Sequence, residues 1–345
     1  MGFVTEYVSP LLSRAGAAPL TDDTLIDHHG VAWHYGDPLG EQRFTSAIID
    51  RSHRVVIAVA GPDAPAFLNN LVSQKLDDAS DGFSAAALDL DAQGHILHHM
   101  DVTRREGTFY LDVPRPQADS LLDYLRKMVF WSDVTIDVTN LGILTLFGTL
   151  PLPDDCLART IDWAGPPRTD LFVERTLIDA TTAQLESAGG QLAGLMTFTA
   201  ARVNAREPEL AADLDAKSIP HESPELLRRA VHLDKGCYRG QETVSRVHNL
   251  GRSPRALVLL HLDGSAPTQP APGTPITSGG RTVGRLGTVV HDHELGPIAL
   301  GLVKRSAMSA TLVAGDTALA VDPDSIPDDS TPRPGRAAID RLRGL

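Results

Sequence analysis

From residue 54 onward the order of apolar and polar positions resolves into short elements. "RVVIAVAG" (54–61) is a β-branched run stopped by Gly61 and Pro62, the pattern of a buried strand. In the "PDAPAFLNNLVSQ" that follows, Phe67, Leu68, Leu71 and Val72 share one helical face, with Asp63 as N-cap and Pro65 in the first turn. "SAAALDL", "HILHHMDVTR" and "TFYLDV" then alternate in the manner of half-buried strands, joined by the hairpin-like turns "DAQG" and "REG". Leu121, Leu122, Leu125, Met128 and Val129 predict a helix over 117–129, and "DVTIDV" and "LGILTLFG" predict two more strands. Antiparallel strands with helices on one face are an α+β pattern, not a regular βαβ alternation.

The flanks read differently. Residues 1–50 are turn-rich and irregular, and 149–170 ("TLPLPDD", "WAGPPRTD") is a loop or boundary. Helical spacing returns at 181–188 and 192–206, and "ESPELLRRA" opens a short helix with Ser223 as cap and Pro224 at its first position. Past Gly251 the chain holds only short strands separated by Gly and Pro, which predicts a separate all-β, barrel-like unit over 255–321. The tail "DPDSIPDDSTPRPGR" is too polar and proline-rich to pack.

At 345 residues more than one lobe is expected, and the formal net charge of -13 argues against a general nucleic-acid or anionic-membrane surface. Cys156 and Cys237 are the only cysteines, without zinc spacing or a disulfide framework, which suits a reducing cytoplasm. The first twenty residues lack the charged start and clean apolar core of a signal peptide, and no apolar run is long enough for a membrane span. There is no GxSxG, HExxH, P-loop or GxGxxG motif.

The stretch densest in chemistry is "KGCYRGQE" (235–242). Cys237 stands between Lys235 and Arg239, whose positive potential favours the thiolate. Gly236 and Gly240 permit backbone conformations closed to other residues, as a loop lying against a ligand needs. Gln241 and Glu242 add an amide and a carboxylate suited to heterocycle edges, and Tyr238 completes a ligand-lining set. On spacing alone the thiol reads first as a small buried hydrophobe, because no histidine is held beside it as a base.

With the following "TVSRVHNLGRSPRALVLL", this octapeptide resembles the signature of the YgfZ-type folate-binding proteins, relatives of the aminomethyltransferase (T-protein) of glycine cleavage. "DRSHRVVIAVAGPDAPAFLNNLVSQ" (50–74) is similar to that family's strand–helix opening, "DAQGHILHHMDV" to its Gly-rich hairpin and "AARVNAREP" to its Arg-x-x-Ala helix end. The likeness runs in order over 45–321. It implies a three-lobed cloverleaf of α+β class: 1–250 as two interleaved lobes around a folate-sized channel, 251–322 as an antiparallel barrel, and 323–345 as a mobile tail. It also implies tetrahydrofolate or a derivative as cofactor, and a cytoplasmic role in iron–sulfur cluster assembly or repair and in tRNA modification. The implied partners are iron–sulfur client enzymes or the assembly machinery, and Cys237 is the implied functional thiol.

The departures from the family are informative. Its transferases carry an aspartate after the hairpin turn, where "GHILHHM" here offers His98 and His99, with Asp101 further along. Their pterin-binding glutamate in "RLEAG" corresponds to Asn204 in "RVNAR". This pattern favours a folate-binding factor whose pocket is lined by His98, His99, Asp101 and Asn204; the alternative is a folate-dependent aminomethyl or methyl transferase, or a demethylase. Trp131 is a candidate for stacking in the channel or for the core. On a strand His95 and His99 share a face roughly 13 Å apart while His98 points away, so no metal site is expected there. Arg252, Arg255, Arg281 and Arg285 cluster near the motif, yet the acidic balance argues against nucleic acid as a direct partner.

Overall fold

The computed structural model describes residues 7–21, 25, 27–266 and 268–328. In chain order the elements begin with β1 (Ala47–Asp50), β2 (Val55–Ala60), α1 (Ala64–Leu71), β3 (Ser84–Leu90), β4 (Ile96–Arg105), β5 (Thr108–Val113), α2 (Arg115–Lys127) and β6 (Thr135–Val138). They continue with β7 (Leu141–Phe147), β8 (Leu157–Ile161), β9 (Arg168–Glu174), α3 (Ile178–Ser187), β10 (Gln191–Ala193), α4 (Leu195–Asn204), α5 (Leu210–Asp213), α6 (Pro224–Ala230) and α7 (Gln241–Leu250). The last part is β11 (Arg255–Leu262), β12 (Pro275–Ser278), β13 (Arg281–Asp292), β14 (Gly296–Lys304), β15 (Leu312–Ala314) and β16 (Thr317–Val321).

Three sheets organise the molecule. The first has the order β3-β4-β5-β2-β6, with α1 and α2 packed on one face. Leu121, Leu122 and Leu125 of α2 are fully buried there, each worth about 1.5 to 3 kcal/mol of transfer free energy. The second sheet, β10-β1-β7-β9-β8, is built from chain on both sides of the first, because β1 precedes it and β7 to β10 follow it. The third is a closed antiparallel barrel, β11-β14-β13-β12-β15-β16, filled by Val258, Leu260, Ile276, Leu286 and Leu312. Closure leaves no open edge. The fold is therefore α+β with a terminal six-strand barrel, as expected.

Several details differ from the sequence reading. The stretch 149–170 contains β8 and the start of β9; these do not stand out in the sequence because Arg159, Arg168 and Asp170 occupy buried positions that strands ordinarily give to apolar residues. Residues 1–50 contain β1, and the octapeptide runs directly into α7. Asp63 does not cap α1 with its side chain; its Oδ2 instead accepts from Asp133 N at 2.8 Å, tying the helix start to the strand beyond α2. Pro323–Ser325 forms a 3-10 turn whose cap is Asp322 and whose Ser325 is buried. The remainder of the predicted tail, 329–345, lies outside the described residues.

Candidate functional site

Where the two sheets approach the barrel, a cavity is lined by Arg51, Arg54, His99, Met100, Asp101, Pro114, Phe198, Arg202, Glu207, Pro208 and Glu209. Its side chains come from the β1–β2 connection, from β4, from Pro114 between β5 and α2, and from α4 and the turn after it; Arg202 also donates to Thr288 of the barrel at 2.6 Å. That turn explains why a carboxylate arrives here unannounced. The helix ends at Asn204, Arg206 takes a left-handed φ of 58°, and Glu207 N returns to Arg202 O at 2.9 Å. Pro208 then prevents further helix, and the reversed chain carries Glu207 and Glu209 back into the cavity.

Behind the cavity lies a buried lattice of charge. Arg168 grips Asp170 with two parallel bonds at 3.0 and 2.7 Å. Arg159 donates to Asp112 at 2.6 Å and Asp170 at 2.9 Å, while Arg54 joins Asp112 at 2.7 Å and Asp27 at 3.2 Å. Arg229 closes the set on Glu207 at 2.5 Å and Asp101 at 3.2 Å. Burial acts to raise the pKa of Asp101, Asp170 and Glu207, but the surrounding guanidiniums outweigh it and hold all three below the usual carboxylate range. Asp101, Asp112 and Asp170 bring carboxylate oxygens within 4.8 Å of one another, a metal-like spacing. Arg54, Arg159 and Arg168 stand where a cation would provide the balancing charge.

Three cavity groups are less committed. Among the described residues the Glu209 carboxylate pairs only with Arg202, at 3.5 Å, and its side chain is 20% exposed. Burial, together with the charges of Asp27 and Asp213, raises its pKa despite Arg202. Arg51 bonds Thr145 at 3.1 Å and lies over the Phe198 ring at 3.8 Å; burial, with Arg54 and Arg168 nearby, brings its pKa down to about 10. His99 has a buried Nε2 with no partner among the described residues, and burial lowers its pKa. A cation, a protonatable carboxyl and a neutral imidazole thus face one hollow.

The octapeptide forms a separate, surface-facing loop. Gly240 has φ 83°, and a Cβ there would meet Asp91 O at 2.6 Å, so the close approach of this loop to the β3–β4 turn requires glycine. Gly94 in that turn is likewise left-handed, and a Cβ would press on Thr243 of α7. Gly236 has no such demand: its φ is not in the left-handed region, and a Cβ there would meet open space. Cys237 is exposed. Its two cationic neighbours are engaged elsewhere. Lys235 is buried and donates to the carbonyls of Asn69, Val72 and Gln74, using all three ammonium protons, although burial lowers its pKa to about 8. Arg239 bonds Leu90 O and Asp89 Oδ1 and lies over Tyr124. Tyr238 is buried in the apolar core, Gln241 bonds Lys235 O at 3.3 Å, and Glu242 is exposed.

The predicted pocket residues therefore separate. His99 and Asp101 line the cavity. His98, on the other face of β4, pairs with Asp89 at 2.8 Å and with Ser120 at 2.8 Å. Asn204 is exposed at the end of α4, and Trp131 is 96% exposed after α2; neither lines the cavity, and Trp131 belongs to no core. Arg51, Arg54, Phe198, Arg202, Glu207 and Glu209 were missed. The available signal was "AREPE" just past a helix end, a proline-stopped turn with two carboxylates.

Comparison with known proteins gives the frame for this geometry. The chain is 26% identical over 257 residues to the tRNA-modifying protein YgfZ of Klebsiella pneumoniae, covering 68% of this chain and 77% of that protein. It is 22% identical over 249 residues to the mitochondrial iron–sulfur cluster assembly factor IBA57 homolog of Neurospora crassa, covering 64% of this chain and 55% of that one. The chain is similar in sequence to YgfZ over about two thirds of its length. Residues 255–328 match the family described as the CAF17 C-terminal beta-barrel domain, which coincides with the closed barrel. The crystal structure of the glycine cleavage system aminomethyltransferase T from Bartonella henselae superposes with a TM-score of 0.77 at 20% identity, covering 92% of this chain and 96% of that one. The fold is thus aminomethyltransferase-like. Among the described residues, no helix is long and apolar enough to cross a membrane.

Proposed function

We propose that the chain binds a reduced folate, tetrahydrofolate or a derivative, in the cavity where its three units meet. We further propose that it serves iron–sulfur enzymes in the cytoplasm, including enzymes that modify tRNA, rather than acting as a one-carbon transferase. The observation that carries the reading is the grouping of Glu209, Arg51, His99 and Phe198 on one hollow of an aminomethyltransferase-like fold. A pterin presents an amine and an amide N–H to an acceptor, a carbonyl to a donor, and a flat face to an aromatic ring. Glu209, Arg51 and Phe198 supply those three partners. The names of the relatives, a tRNA-modifying protein and an iron–sulfur cluster assembly factor, support the cellular role.

The donor chemistry fits; the space does not yet. The cavity holds about 20 Å³, enough for a water molecule and far less than a pterin. Binding therefore requires Arg51 to swing off Phe198, away from Thr145 at 3.1 Å and Asp170 at 3.7 Å, to open the hollow. Asp101 argues against the transferase alternative. Its carboxylate is held by Arg229 at 3.2 Å, Arg159 at 3.6 Å and Arg168 at 3.7 Å, so it has no unspent charge with which to stabilise a developing cation. An exposed Cys237, outside the lining of this cavity, is a thiol available to a partner rather than to the bound folate. Incubation with a methylated amine and tetrahydrofolate should yield no methylene-tetrahydrofolate, whereas turnover would restore the transferase reading.

A further inference from the structure

One constellation lies outside the cavity. Asp89 of β3 is fully buried, and its Oδ2 is 2.8 Å from His98 Nδ1. The other imidazole nitrogen, Nε2, is 2.8 Å from the hydroxyl of Ser120 on α2, and Ser120 is exposed. A carboxylate on Nδ1 fixes the proton there, which leaves Nε2 as an acceptor for the serine proton. His95 and His261 also carry an aspartate on one nitrogen, at 2.9 and 2.8 Å, but among the described residues neither has a hydroxyl on the other. The His98 arrangement is thus more than another surface ion pair. Ser120 also lies 3.0 Å from Gln117 O, the ordinary back-bond of a helical serine, so its proton has two acceptors.

A cation stands next to this triad. Arg239 binds the second oxygen of Asp89 at 2.7 Å and lies over the ring of Tyr124, one helical turn from Ser120. Its side chain is 39% exposed, and among the described residues its Nη1 carries no hydrogen bond.

We infer that Ser120 is a nucleophile, with His98 as its general base and Asp89 as orienting residue, that accepts an acyl group from small anionic esters drawn in by Arg239. In the step, Ser120 Oγ bonds to the ester carbonyl carbon while its proton passes to His98 Nε2. The carbon–alkoxide bond breaks, and the leaving alkoxide takes that proton away as an alcohol. Water then cleaves the acyl-serine to the free acid. This inference is independent of folate binding.

The test uses the full chain carrying Cys237→Ser, so that the exposed thiol cannot contribute. It is treated with 4-nitrophenyl hemisuccinate, and the site of succinylation is mapped by peptide mass spectrometry. The inference predicts a burst of 4-nitrophenol and one succinyl group on Ser120. The burst should disappear in Ser120→Ala, an exposed helical position where alanine keeps the fold. It should slow by roughly a hundredfold or more in His98→Gln. Arg239→Gln should reduce the preference for this ester over the neutral 4-nitrophenyl acetate by about tenfold. Absence of label at Ser120 in the folded protein, or an undiminished burst in Ser120→Ala, would overturn it.

Discussion

At the scale of single residues, the two cysteines should separate cleanly. Cys237 is exposed, whereas Cys156 is half-buried and burial raises its pKa. One thiol per chain should therefore react rapidly with a disulfide reagent at neutral pH, and Cys237→Ser should abolish that fast phase; a fast phase surviving the substitution would place the reactive thiol elsewhere. The buried charges give a second test. Asp170→Asn keeps the shape but leaves Arg159 and Arg168 without their shared carboxylate. Breaking a buried pair from one side costs about 3 to 5 kcal/mol, to be read from urea unfolding. A loss within error of zero would mean the lattice is far more hydrated than its burial indicates.

Among the elements, the union of the octapeptide loop with the β3–β4 turn hangs on two left-handed glycines, Gly240 and Gly94. Gly240→Ala should cost about 1 to 3 kcal/mol, and the missing room beside Asp91 O should loosen α7, visible as faster amide exchange over 241–250. Unchanged exchange would show that the turn is not what seats that helix. The elements also show what the sequence makes legible. β2 to β6, α1, α2 and most of the barrel stand out because their apolar positions keep the period of the element. β8 and β9 do not, because function-like charge replaces apolar side chains at Arg159, Arg168 and Asp170. The cavity was legible only in part. His99 and Asp101 lie on a recognisable strand, but Glu207 and Glu209 reach the site through a chain reversal that no periodicity encodes, and Arg51 reaches it from a connection that reads as structural. Lys235 and Arg239, which as neighbours in sequence suggest an activated thiol, turn inward in space to carbonyls and to Asp89.

For the whole molecule, the interleaved sheets and the barrel meet on buried charge rather than on apolar packing alone, which makes the assembly acid-sensitive. Asp27, Asp101, Asp170 and Glu207 all have folded-state pKa values held below the ordinary range. Each contributes stability that is complete above its unfolded value and is lost as pH falls through its folded one. Glu209 and Glu222, raised by burial, work in the opposite direction, but they are two groups against four. Unfolding free energy should therefore fall steadily below about pH 4, and a stability curve flat to pH 2 would contradict this. The same charged junction is where a folate is proposed to enter, beside Glu209, Arg51 and His99, the three groups that the lattice leaves least committed. Calorimetric titration of the full chain with tetrahydrofolate tests this most directly, comparing wild type with Glu209→Ala. The account predicts saturable heat for the wild type and about a tenfold or greater weakening in the variant, some 1.4 kcal/mol. No heat from folded wild type, or identical binding by the two proteins, would contradict it.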